Sequence, residues 1–178
     1  MKQNIHMVIQ MDTDIQFTLK QIATINSPFC DLVDMPVQPK GGSDVYATIE
    51  FDDKYEEGLR DLDGFSHVYL IYYFHKVKKP QLSVIPFNDK TNTPRGVFST
   101  RTPMHPNSIG LSVVELIKVE KNIVTVKGID ILDGTPLLDI KPYIEHFDKV
   151  EGEVCSGWMH SSAEEIKKKR SDNRFVQD

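Results

Sequence analysis

Two polar, turn-rich segments, residues 96–112 and 130–143, hold the side chains best suited to chemistry. The first sets Arg101, His105 and Asn107 among Pro103, Pro106 and Gly110. The second sets Asp133, Asp139, Lys141 and Tyr143 among Gly134, Pro136 and Pro142. Proline and glycine define the backbone of such segments, and rigid loops on a scaffold are where ligand-gripping side chains are usually found. A guanidinium at Arg101 can clamp a carboxylate through two parallel hydrogen bonds. Asp133 and Tyr143 are the candidates for moving a proton. His105, Asn107 and Lys141 are candidate contacts to a second ligand. Asn107, between Pro106 and Ser108, serves equally well to hold its own turn, and Asp139 with Lys141 equally well as a structural ion pair.

The elements that position these residues read as strands. Alternating apolar and polar residues predict strands over residues 17–25, 45–51, 109–120 and 122–131, with Lys121-Asn122 at the turn of a hairpin. Residues 65–77, aromatic and β-branched, read as a central strand covered on both faces. Residues 30–44, with Pro36, Pro39, Gly41 and Gly42, read as a loop or flap, and residues 78–95 as mostly loop, extended near 82–86. A short extended stretch is expected near 150–154. Asp52-Asp53 offers an N-cap to a short helix over 54–59, and Ser162 to Arg170 reads as a capped, charged helix fraying toward Asp178. Many short strands with few helices predict a mainly β fold, a closed or nearly closed β-barrel with short peripheral helices. The domain reading is an arm or extra strand at 1–14, the barrel at 15–158 and a charged tail at 159–178. No glycine-rich phosphate loop follows a strand, which argues against a dinucleotide-binding sheet.

At 178 residues, 39% hydrophobic and 26% charged, the chain matches one soluble domain. No apolar run approaches a membrane span, and the first residues lack the apolar core of an export signal. Cytoplasmic localisation is therefore expected, with Cys30 and Cys155 as free thiols. A net charge of −5 disfavours a general nucleic-acid coat but leaves room for lysine patches at 76–79, 118–121 and 167–170. His67 and His75 have no metal-ligand spacing, and no metal site is expected.

Longer matches make the reading more specific. Gly96-Val97-Phe98, Thr100-Arg101, Pro103, Pro106-Asn107 and Ile109 to Ser112, then Asp133 to Pro136 and Asp139 to Tyr143, resemble the paired motifs of the TsaA-like (TrmO) family. Supporting matches at Ile25 to Phe29, Gly58-Leu59, Phe65 to His67 and Phe74-His75 extend the resemblance over about residues 15–158. It implies an S-adenosylmethionine-dependent methyltransferase on a β-barrel, working as a homodimer. The implied substrate is tRNA, at N6 of threonylcarbamoyl-adenosine 37. The resemblance places Pro36, Val37, Gln38, His75 and Lys76 around the cofactor, beside Arg101, Leu111, Asp133, Gly134, Thr135 and Pro136. It leaves Asp133 or Tyr143 to deal with the acceptor proton. The chain departs from the family at Val37 and His105, each standing for an arginine, and at Ser108, standing for a proline. Lost positive charge there keeps two other readings in view: the same cofactor with a small-molecule or different nucleoside acceptor, and a cofactor-binding regulator without turnover.

Overall fold

The predicted alternation becomes strands whose inward residues share one interior. The computed structural model describes residues 18–33 and 35–175; the expected arm at 1–14 lies outside them. In chain order the strands are β1 (Ala23–Asn26), β2 (Tyr46–Phe51), β3 (His67–Tyr73), β4 (Ser83–Val84), β5 (Arg95–Gly96), β6 (Ile109–Glu120), β7 (Ile123–Lys127) and β8 (Thr135–Pro142). Among the described residues, six of these close a barrel in the order β1-β2-β7-β6-β3-β8, all neighbours antiparallel. Closure removes the exposed edges that would otherwise template aggregation. β4 and β5 form a separate ribbon.

The interior is β-branched and aliphatic: Ile25, Ile49, Val68, Leu70, Val114, Val124, Val126 and Leu137 are all essentially buried. Successive side chains on a strand point to opposite sides, so every second residue enters the barrel. On β2 the inward set is Ala47, Ile49 and Phe51, and on β6 it begins Gly110, Ser112, Val114. The β6–β7 hairpin turns at Lys121, as expected, with φ of 53°.

Five expectations need correction. β3 is covered on one face rather than two, because a barrel has a single interior: Val68, Leu70 and Tyr72 point in, while His67 and Tyr73 are exposed. The second polar segment is not all turn; from Thr135 it runs as strand β8 between β1 and β3. The strand expected over 17–25 forms among the described residues only from Ala23, and the extended stretch expected near 150–154 joins no sheet. Asp52 does not cap the 3-10 helix Asp53–Leu59 through its side chain; its carboxylate accepts from Lys54 Nζ at 2.6 Å instead.

The helix α1 (Glu145–Asp148) follows the barrel. The later helix α2 (Ala163–Lys168) starts on the expected capping box: Ser162 Oγ accepts from the Glu165 amide at 3.3 Å, and Glu165 Oε2 accepts from the Ser162 amide at 2.8 Å. Beyond α2 the described part of the tail docks at Ser171, while the fraying expected toward Asp178 lies partly outside the described residues. Ser171 N donates to the Met35 carbonyl at 2.9 Å, and Ser171 Oγ donates to the Leu32 carbonyl at 2.6 Å. Trp158 Nε1 donates to the Ser99 carbonyl at 2.8 Å.

An ion pair between a partly exposed arginine and a buried aspartate holds the loop before β5. Arg95 Nε donates to Asp89 Oδ2 at 2.7 Å, and the Thr91 amide and hydroxyl donate to Oδ1 at 2.8 and 2.6 Å. These donors hold the Asp89 carboxyl down at about 2, the arginine hydrogen bond contributing most. A carboxylate depressed in this way adds stability above its ordinary pKa near 4, and that stability fades as pH falls toward 2. Arg95→Ala is therefore expected to lower the midpoint of thermal unfolding at pH 7. The loss should shrink at pH 3 in thermal unfolding.

Candidate functional site

The two polar segments meet. A cavity of about 970 Å³ opens at one end of the barrel, lined by residues 98–103 of the first and by Asp130, Ile131, Leu132 and Thr135 of the second. The flap supplies Met35 to Pro39, the turn after β3 supplies Phe74 to Val77, the segment before the tail supplies Trp158, and the tail supplies Ile166 and Phe175. Concave sites of this kind are mostly apolar with a few convergent polar groups.

The floor is formed by inward residues at the last turn of the barrel. Tyr72 of β3 and Gly110 of β6 are direct cross-strand partners. The tyrosine ring lies over the glycine: a Cβ added at Gly110 would come within 2.2 Å of Cε2 and 2.4 Å of Cζ. That close approach explains a glycine inside a strand. The ring also packs edge-on against Phe74, centroids 5.2 Å apart. Two residues along β6, Ser112 Oγ lies 3.2 Å from the Tyr72 hydroxyl and donates to Asp130 Oδ1 at 2.9 Å. The serine has one proton, and it goes to the carboxylate, so the phenol donates to the serine. Burial pushes the Asp130 carboxyl up to about 6, against the opposing Ser112 hydrogen bond and the charge of Arg101. Burial likewise pushes the Tyr72 hydroxyl far above its ordinary value, so it stays protonated.

At the rim, Arg101 is exposed and presents its charge toward Asp130 and Tyr72. His105 Nε2 donates to the Thr100 carbonyl at 3.1 Å and stacks edge-on with Phe98, at 5.8 Å. His75 Nδ1 is 3.4 Å from Thr135 Oγ1, whose proton goes to the Leu132 carbonyl at 2.6 Å. Burial, and then Lys76 beside it, lower the pKa of His75, so the ring is neutral at pH 7.

Of the residues singled out in the sequence, Pro36, Val37, Gln38, His75, Lys76, Arg101, His105, Leu111 and Thr135 line this cavity. Asp133, Gly134, Pro136, Asn107, Lys141 and Tyr143 are not brought to its wall in the single chain. Asp133 faces the end of β1: its Oδ1 accepts from the Ser27 amide at 2.9 Å, and its own amide donates to the Phe29 carbonyl at 2.8 Å. Gly134, at φ +71°, completes the turn into β8. Tyr143 packs beside Tyr69 and His67, with ring centroids at 5.8 and 6.4 Å. His67 is five residues from Tyr72 on β3, roughly 16 Å at strand rise. Lys141 pairs with Asp139 at 2.8 Å on the exposed side of β8.

Asp130, Ser112 and Tyr72 carry no role in the reading of the sequence. Their one signal there is a charged residue inside the apolar run 129–132. Among the described residues, no group of three or more His, Cys, Asp or Glu comes together to hold a metal ion, and no helix is long and apolar enough to cross a membrane.

Residues 24–149 match the model of the tRNA-methyltransferase O N-terminal domain. A Pyrococcus abyssi protein, named a probable S-adenosyl-L-methionine-binding protein, is 44% identical over 156 residues, 88% of this chain and 83% of its own length. The mouse tRNA (adenine(37)-N6)-methyltransferase is 44% identical over 99 residues, 52% of this chain but 22% of that enzyme. The crystal structure of TrmO from Pseudomonas aeruginosa superposes with a TM-score of 0.65 at 34% identity. That match covers 79% of this chain and 62% of the other. With the family model covering residues 24–149, nearly all of the barrel, the chain belongs to the tRNA-methyltransferase O N-terminal domain family.

Proposed function

We propose that the chain is an S-adenosylmethionine-dependent methyltransferase that methylates N6 of adenosine 37 in tRNA. The preferred acceptor is the threonylcarbamoyl-bearing base, and the working form is a cytoplasmic homodimer. The observation that carries this reading is the shared cavity: both polar segments of a chain of this family wall one space large enough for a nucleoside cofactor.

The lining suits that cofactor in charge as well as size. A positively charged guanidinium at Arg101 and a carboxylate at Asp130 stand in one cavity, as a ligand with a carboxylate and two cationic centres requires. Tyr72, Phe74 and Phe98 offer aromatic surface to a purine. When bound, the cofactor supplies a methyl group activated by a positive sulfur. The chain contributes position: framed by Pro103 and Gly110, the first segment holds Arg101 toward the donor carboxylate, and in-line transfer rewards such fixed geometry. Trp158, with Ile166 and Phe175 of the docked tail, lines one side with apolar surface.

Arg101→Ala is expected to raise the dissociation constant for S-adenosylmethionine about tenfold by calorimetry, the loss of one charge-assisted clamp. Affinity held within twofold removes the clamp. The function itself is tested with radiolabelled cofactor and two tRNA samples, one carrying the threonylcarbamoyl group and one without it. Label is expected in the first alone. Valine at 37 and histidine at 105, where the family carries arginines, favour a second reading in which the same cofactor serves a small-molecule or different nucleoside acceptor; label in neither tRNA, with cofactor binding intact, would select it.

A further inference from the structure

Resting on the reading above, we propose that Asp130, held by Ser112 and Tyr72, is the counter-anion for the cationic part of the bound cofactor. The argument begins with the protons. Tyr72 donates to Ser112, and Ser112 donates to Asp130, so the relay of donors ends on the carboxylate. Ser112 and Tyr72 are 3% and 4% exposed, with Asp130 half-buried beside them at the cavity wall. A chain of donors directed at one acceptor is set to stabilise an anion. Yet burial opposes that anion, and the protein leaves Asp130 partly protonated near pH 6. Among the described residues no cation pairs with it directly: Arg101 acts on it through charge alone and lowers its pKa less than burial raises it.

The groups that face Asp130 are therefore Ser112 from β6, Tyr72 from β3 and Arg101 from the loop before β6, while His75 and Lys76 line the same cavity after β3. A cation seated against Oδ2 supplies what the wall lacks. Two cationic centres of the cofactor, the sulfonium and the α-ammonium, share that chemistry. Binding then has a proton balance. The carboxylic acid of Asp130 loses its proton to solvent, the O–H bond breaks, and the carboxylate remains paired with the ligand cation.

The test is calorimetry on the full chain with three ligands: S-adenosylmethionine, with both cations; S-adenosylhomocysteine, with the ammonium alone; and 5′-methylthioadenosine, with neither. For the wild type, titrations in buffers of different ionisation enthalpy should show release of up to about half a proton at pH 6 and almost none at pH 8. Asp130→Asn should abolish that release and weaken S-adenosylmethionine at pH 8 about tenfold or more. Its affinity for 5′-methylthioadenosine should stay within twofold. An equal loss for S-adenosylhomocysteine assigns Asp130 to the ammonium, and a smaller loss assigns it to the sulfonium. Ser112→Ala should move the pH midpoint of proton release upward. Unchanged S-adenosylmethionine affinity in Asp130→Asn, an equal loss for 5′-methylthioadenosine, or a wild-type proton count independent of pH overturns the assignment. A wild type that binds none of the three ligands defeats the functional reading itself, an outcome distinct from these. The wild-type proton count needs no variant and so does not depend on one folding.

Discussion

Gly110→Ala is expected to abolish cofactor binding and to lower stability by about 3 kcal/mol, although it adds one methyl group. The methyl would sit 2.2–2.8 Å from three atoms of the Tyr72 ring, and real contacts of this kind do not fall below 3.0 Å. Neither partner has an easy retreat. Gly110 is fixed by the β3–β6 ladder, where it faces Tyr72 directly. The ring is buried, packed on Phe74 and bonded through its hydroxyl to Ser112. To relieve the contact the ring must swing toward the cavity, which breaks the hydroxyl bond and fills the space a ligand would take. Calorimetry should register at least a hundredfold loss of affinity, and thermal unfolding a lower midpoint. Adding Tyr72→Leu to Gly110→Ala is expected to restore most of the stability without restoring the affinity, because leucine removes the clash and the phenol together. Simple additivity of the two substitutions would contradict a direct contact.

The second large effect has the opposite sign. Asp130→Asn is expected to make the protein more stable at pH 8, by up to about 3 kcal/mol for a carboxyl raised some two units. The sign follows from burial. The folded state holds this acid at about 6, above its ordinary value near 4. As pH rises from 4 through 6, the unfolded chain gives up the proton readily and the folded chain does so reluctantly, so folding loses stability and does not recover it at higher pH. Asparagine keeps the acceptor for Ser112 and carries no charge to bury. The gap between variant and wild type should therefore be full at pH 8 and close toward pH 4, as followed by thermal unfolding. A gap that is constant with pH would mean that the carboxylate is not the source. Together with weakened cofactor binding, a more stable variant would mark Asp130 as a residue retained for function at a cost in stability.

Much of this molecule is legible in its residues. Alternation along 45–51 and 109–120 is enough to place β2 and β6, because side-chain direction on a strand repeats every two residues and needs no knowledge of the neighbours. The turn at Lys121 and the capping box at Ser162 are equally local. The paired motifs around Arg101 and Asp133 identify the family and the cofactor class before any coordinates.

What those residues do not determine is which inward positions share an end of the barrel. Asp133, Lys141 and Tyr143 sit in one motif with Asp130 and Thr135. Yet β8 runs from Thr135 to Pro142, carrying Lys141 and Tyr143 to the far end, while the turn before it aims Asp133 at Ser27. Conversely, Tyr72 and Ser112 are 40 residues apart, and Ser112 and Asp130 are 18 apart. They meet because Tyr72 pairs with Gly110 across the ladder and the closed sheet turns both strands' inward faces toward the same space. Side-chain periodicity is a property of a few neighbouring residues and can be read from the chain. Cross-strand register and closure are collective, set by every pairing around the barrel at once, and they alone placed a carboxyl at the bottom of the cavity.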